Sequence, residues 1–394
     1  MESDNKLFLL DAYALIYRAY YAFIKNPRIN SKGFNTSAIL GFVNTLEEVL
    51  KKENPTHIGV AFDPAGPTFR HEAFEQYKAQ REETPEAIRL SVPIIKEIIR
   101  AYRIPILEVA GYEADDVIGT LATEAGRQGI ITYMMTPDKD YGQLVSDKVF
   151  MYRPKHTGGF EVMGVDEVKA KFDIQSPAQV IDMLGLMGDS SDNIPGCPGV
   201  GEKTAQKLIA EFGSIENLLE HTDQLKGALK TKVETNREMI TFSKFLATIK
   251  IDVPIQLDMD SLVREQADED SLRQIFEELE FRTLIDRVLK KENAGNGITT
   301  PTGNKTAAEK SNLAPLPLFP EEGGAVQGDL FANFTGNEPG EAKNSNLATL
   351  ETLNCDYQLI DTEEKRTKII QKLLTSKILS LDTETTGTQP MDAE

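Results

Sequence analysis

Three short apolar runs, at residues 6–10, 57–62 and 129–135, each end in a carboxylate or just before one. Helical patterns fill the stretches between them, as at 38–51 and 86–102. Runs this short and apolar read as buried strands. Strands alternating with helices imply an α/β fold, a mostly parallel central sheet flanked by helices, which is assigned to residues 1–176. Ligands bind such sheets beyond the carboxyl ends of the strands. Asp11, Asp63 and Asp138 fall at that edge.

From 177 to 290 the pattern is mainly helical with glycine-rich turns, and 271–291 reads as one charged amphipathic helix closing the domain. Residues 291–350 hold 8 Gly, 8 Asn and 5 Pro with few large apolar side chains, so a disordered linker is expected there. A folded pattern resumes at 356, with strands at 357–360 and 377–382 around a helix at 362–374. The span 351–394 is too short to complete an α/β domain of this kind and reads as a truncated second one. The 62 acidic against 43 basic residues give a formal charge of −19, which argues against a generally basic coat for nucleic acid but not against a local basic surface. Cys197 and Cys355 cannot build a disulfide framework, and four scattered histidines offer no histidine metal site. The acidic start lacks the character of a secretory signal, and no run approaches the ~18 apolar residues of a membrane helix. The expectation is a cytoplasmic chain with reduced thiols, no membrane partner and a monomeric state.

Five short segments supply nine carboxylates: Asp11; Asp63 in Phe62-Asp63-Pro64; Glu113, Asp115 and Asp116 at a helix start; Asp138 and Asp140 flanking Lys139; and Asp189 and Asp192 in Gly188-Asp189-Ser190-Ser191-Asp192. Any one of them alone reads more readily as a helix cap or turn residue than as a ligand. Together they are hard to explain as caps, and like charges gathered closely raise one another's pKa. Divalent cations resolve that conflict, and oxygen-only donors select Mg²⁺ or Mn²⁺. Two such ions suit phosphodiester hydrolysis, one activating water and the other stabilising the leaving oxygen. Asp116 and Asp192 could each stand behind the ligands instead.

These motifs resemble the 5′ nuclease domain at the N-terminus of bacterial DNA polymerase I, a PIN-like fold related to phage 5′ exonucleases and flap endonucleases, over residues 4–290. The resemblance implies that Asp11, Asp63, Glu113 and Asp115 hold a first metal. Asp138, Asp140 and Asp189 would hold a second, with Asp115 between, and Asp116 and Asp192 would complete the set. It reads 194–205, with Gly199, Gly201 and Lys203, as a helix–hairpin–helix element. Its helix start and backbone N–H groups can hold a DNA phosphate, and in the family it also binds K⁺. It makes 69–103 a helical arch over the 5′ strand, with Arg70, Lys78 and Arg81 on the scissile phosphate. Composition alone reads that segment as a solvated charged face. Tyr17 and Arg18 match a base-stacking aromatic and a phosphate contact; without the resemblance Tyr17 is a core aromatic.

Two features lie further along. Asp382 and Glu384 in Leu381-Asp382-Thr383-Glu384 resemble the first motif of a 3′→5′ proofreading exonuclease, whose later acids do not follow. Gln327, Leu330 and Phe331 resemble a peptide that docks on the sliding clamp. The reading is a structure-specific 5′ nuclease acting on flapped or nicked DNA and RNA primer–DNA junctions. Its rivals are an RNA-cleaving nuclease on a related fold and a non-catalytic DNA-binding module.

Overall fold

The computed structural model describes residues 5–155, 159–289 and 362–374. The chain divides into two units after residue 334, and the second contributes the helix Glu363–Leu374, where a helix was expected. The linker, the clamp-like peptide at Gln327 to Phe331, the strands expected at 357–360 and 377–382, and the Asp382–Glu384 motif lie outside the described residues.

The described residues of the first unit form six strands: β1 Lys6–Asp11, β2 His57–Ala61, β3 Ile106–Leu107, β4 Ile131–Met135, β5 Val149–Pro154 and β6 Phe160–Met163. They form one sheet in the order β3-β2-β1-β4-β5-β6. The first five are parallel, and β6 pairs antiparallel with β5. Helices α1 Ala12–Ala22, α2 Ser37–Lys52, α3 Phe69–Ala73, α4 Glu86–Ala101, α5 Ala114–Arg127, α6 Val165–Phe172, α7 Val180–Met187 and α8 Glu202–Phe212 follow in chain order. The chain leaves β1 toward β2 and β3, then returns to β4 on the other side of β1. That reversal opens a crevice at the carboxyl ends of β1 and β4, where open α/β sheets bind ligands.

Side chains alternate across a strand. Phe8 and Leu10 of β1 therefore enter a core with Ile58, Val60, α1, α2 and α4, while Leu7 and Leu9 enter another with α5. This second core continues without a break through Met183 and Leu184 of α7 to Leu208 and Ile209 of α8. The division expected at 176/177 is thus not a break in packing.

Two expectations need correction. The segment 271–291 is not one helix but two, Glu269–Glu278 and Arg282–Leu289. Glu280 turns at φ 63°, the Phe281 N–H closes onto the Phe276 carbonyl at 2.8 Å, and both rings enter the core. The segment 69–103 is not a free helical arch either. Its long helix α4 buries Ile88, Ile95, Ile98 and Ile99 completely, so apolar spacing commits it to the core. Between α3 and α4, 74–85 has no regular structure and is anchored to the core by Phe74 and the buried Tyr77.

Candidate active site

Asp11 ends β1 and caps α1, accepting the Ala14 N–H at 3.1 Å. Its Oδ2 also accepts from the Thr136 hydroxyl at 3.2 Å and the Tyr141 hydroxyl at 3.0 Å, both from beyond β4. Neither hydroxyl was singled out in the sequence. Burial, with Asp63 and Asp138 nearby, pushes the Asp11 carboxyl up to about 7. Asp63, two residues past β2, accepts the Ala114 N–H at 2.7 Å and is also raised, chiefly by burial. Three strand ends therefore converge on one place because the sheet is parallel.

Helix α5 brings the next three acids. Glu113 is its cap, and its carboxylate accepts from Arg70 Nη1 at 3.0 Å, the Tyr77 hydroxyl at 3.0 Å and Lys78 Nζ at 2.7 Å. Burial would raise Glu113, but Lys78 and Arg70 outweigh it and hold the group below the usual range. Asp115 lies 3.8 Å from Arg70 and is held well up by burial and by Asp116. Asp116 is wholly buried. One of its oxygens accepts from Arg70 Nη2 and the Lys250 N–H, the other from Arg70 Nη1 and the Glu113 N–H, all between 2.8 and 3.1 Å.

That fork-to-fork pair bears on two expectations. Arg70 is 1% exposed and also donates to the carbonyls of Leu246 and Thr248. All its donors are engaged, so it ties α3, α5 and residues 246–248 together instead of facing a phosphate. Asp116 is its counter-ion, with both oxygens taken up by Arg70 and backbone N–H groups, and stands behind the other acids. The pairing joins residues 46 positions apart, a distance no local motif reveals.

The remaining acids come from two loops. Asp138 caps the 3₁₀ turn Lys139–Leu144 and accepts the Asp140 N–H at 3.0 Å. Burial comes first in raising both Asp138 and Asp140, and Asp138 and Asp189 add to it at Asp140. Asp140 Oδ1 is buried with no hydrogen-bond partner. Asp189 accepts the Ser191 N–H at 2.8 Å and pairs with Lys139 at 2.9 Å. Asp192 pairs with Arg81 at 2.6 Å and accepts the Tyr77 hydroxyl at 2.9 Å. Burial would raise Asp192, but Lys78 and Arg81 hold it below the usual range.

The loop 74–85 lies across these acids. Lys78 adopts φ 56°, sparsely populated for such a side chain. Its N–H donates to the Asp192 carbonyl at 3.0 Å. Gln80 and Arg81 donate to the carbonyls of Ser190 and Ser191 at 2.6 and 3.2 Å, and Asn193 donates to that of Gln76 at 2.7 Å. Two loops more than a hundred residues apart are zipped together, with two cations held over the carboxylates.

The acids thus divide. Glu113, Asp115, Asp116, Asp189 and Asp192 have cationic partners within 4 Å, whereas among the described residues Asp11, Asp63, Asp138 and Asp140 have none. As the side chains lie, no group of three or more His, Cys, Asp or Glu among the described residues stands in a ligating arrangement. Asp140 apart, each carboxylate instead leans on a nearby N–H or hydroxyl. Buried and half-buried acids that raise one another, one with an orphaned buried oxygen, form a donor set that fits hard divalent cations.

The other expected contacts lie around this edge. Tyr17 is half-buried on α1, its hydroxyl 3.0 Å from Thr84, and it joins a tyrosine stripe with Tyr13 and Tyr21. Arg18 donates to the Lys155 carbonyl at 3.2 Å. The Asp189 loop closes on itself by a bridge to Ile194 and runs into the hairpin. There Gly199, Gly201 and Lys203 are exposed, with Gly201 capping α8.

Residues 6–173 match the family described as 5′-3′ exonuclease, N-terminal resolvase-like domain, and residues 175–270 match 5′-3′ exonuclease, C-terminal SAM fold. The chain belongs to the 5′-3′ exonuclease family. Its first part is homologous to the N-terminal part of DNA polymerase I. It is 42% identical over 287 residues to DNA polymerase I of Bacillus caldotenax, which covers 72% of this chain and 32% of that one. It is 34% identical to DNA polymerase I of Chloroflexus aurantiacus, over 98% of this chain and 39% of that one. The chain therefore spans a third or so of the length of the curated relatives it matches. A bacteriophage flap endonuclease solved with DNA and metal ions shares the fold, with a TM-score of 0.52 at 22% identity, over 70% of this chain and all of that one.

Proposed function

We propose that this 5′-3′ exonuclease acts as a structure-specific nuclease on flapped or nicked DNA and on RNA primer–DNA junctions, within a bacterial polymerase I and in the cytoplasm. The observation that carries this reading is the group of buried and half-buried carboxylates without cationic partners, edged by Lys78 and Arg81. Asp11, Asp63, Glu113 and Asp115 would hold one divalent cation. Asp138, Asp140 and Asp189 would hold a second, with Asp115 between them. Mg²⁺ or Mn²⁺ bound there supplies charge neutralisation and activation of water for phosphodiester hydrolysis.

The chain's own groups do the rest. Asp11 and Asp63 are fixed by helix N–H groups, so their oxygens are oriented before substrate arrives. Tyr77 holds Glu113 and Asp192 at a set spacing. Lys78 and Arg81, released from their carboxylates, bind the scissile phosphate and stabilise the charge that develops on it. The exposed N–H groups at the start of α8, with Lys203, hold a backbone phosphate of the duplex without reading its sequence. Tyr17 stacks on a base, and Arg18 stands beside it for the strand. A K⁺ ion at the hairpin belongs to the same proposal. Its support is that the Gly199 carbonyl already accepts from the Lys232 ammonium at 3.3 Å.

The test uses a 5′-flapped duplex labelled at its 5′ end, incubated with the chain and with an Asp115→Ala variant, with and without Mg²⁺. Mg²⁺-dependent cleavage near the junction, lost in the variant by a factor of at least about 100, is expected. Binding of the flap without cleavage by the parent chain would leave a DNA-binding module in place of an enzyme.

A further inference from the structure

Lys139 was not singled out by its sequence, yet it occupies the centre of the second group of acids. Asp138 and Asp140 flank it at the start of the 3₁₀ turn. Its ammonium lies 2.9 Å from Asp189 Oδ2, while Asp189 Oδ1 accepts from the N–H and hydroxyl of Ser191 at 2.8 and 2.5 Å. Among the described residues it is the sole cationic side chain within 4 Å of Asp138, Asp140 or Asp189. The Asp189 side chain is 3% exposed, and Asp140 Oδ1 has no partner at all. A protein carboxylate cluster without a counter-charge would push its own loops apart, and here one lysine supplies that charge.

We propose that Lys139 is a positioning residue, an internal counter-cation that holds Asp189 in place while the divalent ion is absent and is displaced when the ion binds. The inference rests on the metal-site reading above and concerns this chain's own lysine. A divalent ion and an ammonium cannot share so small a group of acids without strong repulsion. Lys139 can yield because its ammonium ends a flexible four-carbon stem that is 23% exposed at the surface. Lys139 therefore weakens the affinity of this group for its ion and in return keeps the metal-free loops in register.

The experiment titrates the metal-free full chain with Mn²⁺, reading free Mn²⁺ by electron paramagnetic resonance and melting temperature in parallel. Lys139→Met is expected to bind one Mn²⁺ about tenfold more tightly than the parent. It should also melt lower without metal and gain more on saturation. Lys139→Arg is expected to keep the parent behaviour in both readouts. Should the Met variant fail to fold, Lys139→Gln is judged by the same criterion. Affinity in the neutral variant equal to or weaker than the parent's overturns the proposal, whatever happens to its melting temperature. A parent chain that takes up no Mn²⁺ overturns the metal-site reading itself, which is a different result from an unchanged variant.

Discussion

Asp140 is the residue whose local chemistry makes least sense without a cation. Its Oδ1 is buried and unpartnered, and burial with Asp138 and Asp189 drives its carboxyl well up. Desolvation and like-charge repulsion act in the same direction here, and Lys139 offsets only part of them. Replacing the acid by its amide removes the charge at nearly constant shape. Asp140→Asn is therefore expected to stabilise the metal-free chain, by about 1 kcal/mol. It should also abolish most of the gain in stability that Mn²⁺ gives the parent, since binding to the native state is what raises stability. Urea unfolding in chelator and in Mn²⁺ checks both halves, and an Asn variant less stable than the parent in chelator would refute the argument. Arg70 and Asp116 show the opposite balance. Each is buried, but the pair is bidentate and every remaining hydrogen bond is made, so the desolvation cost is met in place.

At the scale of elements, the acids reach one edge because short loops follow strands whose order is set by the sheet. Strands β1, β2 and β4 were legible because each is an apolar run with a carboxylate at its end. β3 has only two residues, and β5 carries Arg153 and Pro154, so neither produces the same signal. The nine acids were legible as a set, but their division into ion-paired and unpaired groups was not. Arg70 to Asp116, Lys78 to Glu113 and Arg81 to Asp192 all join distant segments. Loop 74–85 was read as part of an arch only through the family resemblance; its own charges carry no periodicity that distinguishes a helix from a loop. The hairpin was legible from its glycines, and the structure gives two of them a specific reason. Gly188 and Gly196 lie in the left-handed region at φ 74° and 63°, and a Cβ on Gly196 would stand 2.3 Å from the Gly188 nitrogen. Neither backbone can move independently, because Cys197 N–H donates to the Leu186 carbonyl at 2.7 Å and Gly196 N–H to Ser243 at 2.9 Å. Gly196→Ala is expected to cost about 3 kcal/mol, from strain and overpacking together. Gly201→Ala, at φ −95° with open space around it, should cost under about 1 kcal/mol. Chemical denaturation of the two variants side by side checks this; equal losses would mean that the close approach does not govern the hairpin.

For the first unit as a whole, the decisive fact is that one hydrophobic core serves both the sheet and the helices that follow it. Leu7 and Leu9 share a cluster with Met183, Leu184, Leu208 and Ile209. Ile249 and Val253 pack back into that cluster, and Leu272 and Phe276 reach the core on the opposite face of the sheet. The chain after 176 therefore covers both faces of the sheet, although family boundaries fall at 173 and 175. Fully burying one large apolar side chain contributes roughly 1.5–3 kcal/mol, and a domain's whole stability is only about 5–15 kcal/mol. Removing this cover exposes many such side chains at once and also frees Asp116 from the Lys250 N–H and Arg70 from two carbonyls. A fragment of residues 1–176 is thus expected to lack a cooperative unfolding transition, whereas residues 1–290 should unfold in one step. Differential scanning calorimetry of the two fragments decides it. A sharp transition in the shorter one would mean that the sheet and its first helices hold a core of their own, and that the continuous packing seen across 176 adds stability without being required for folding.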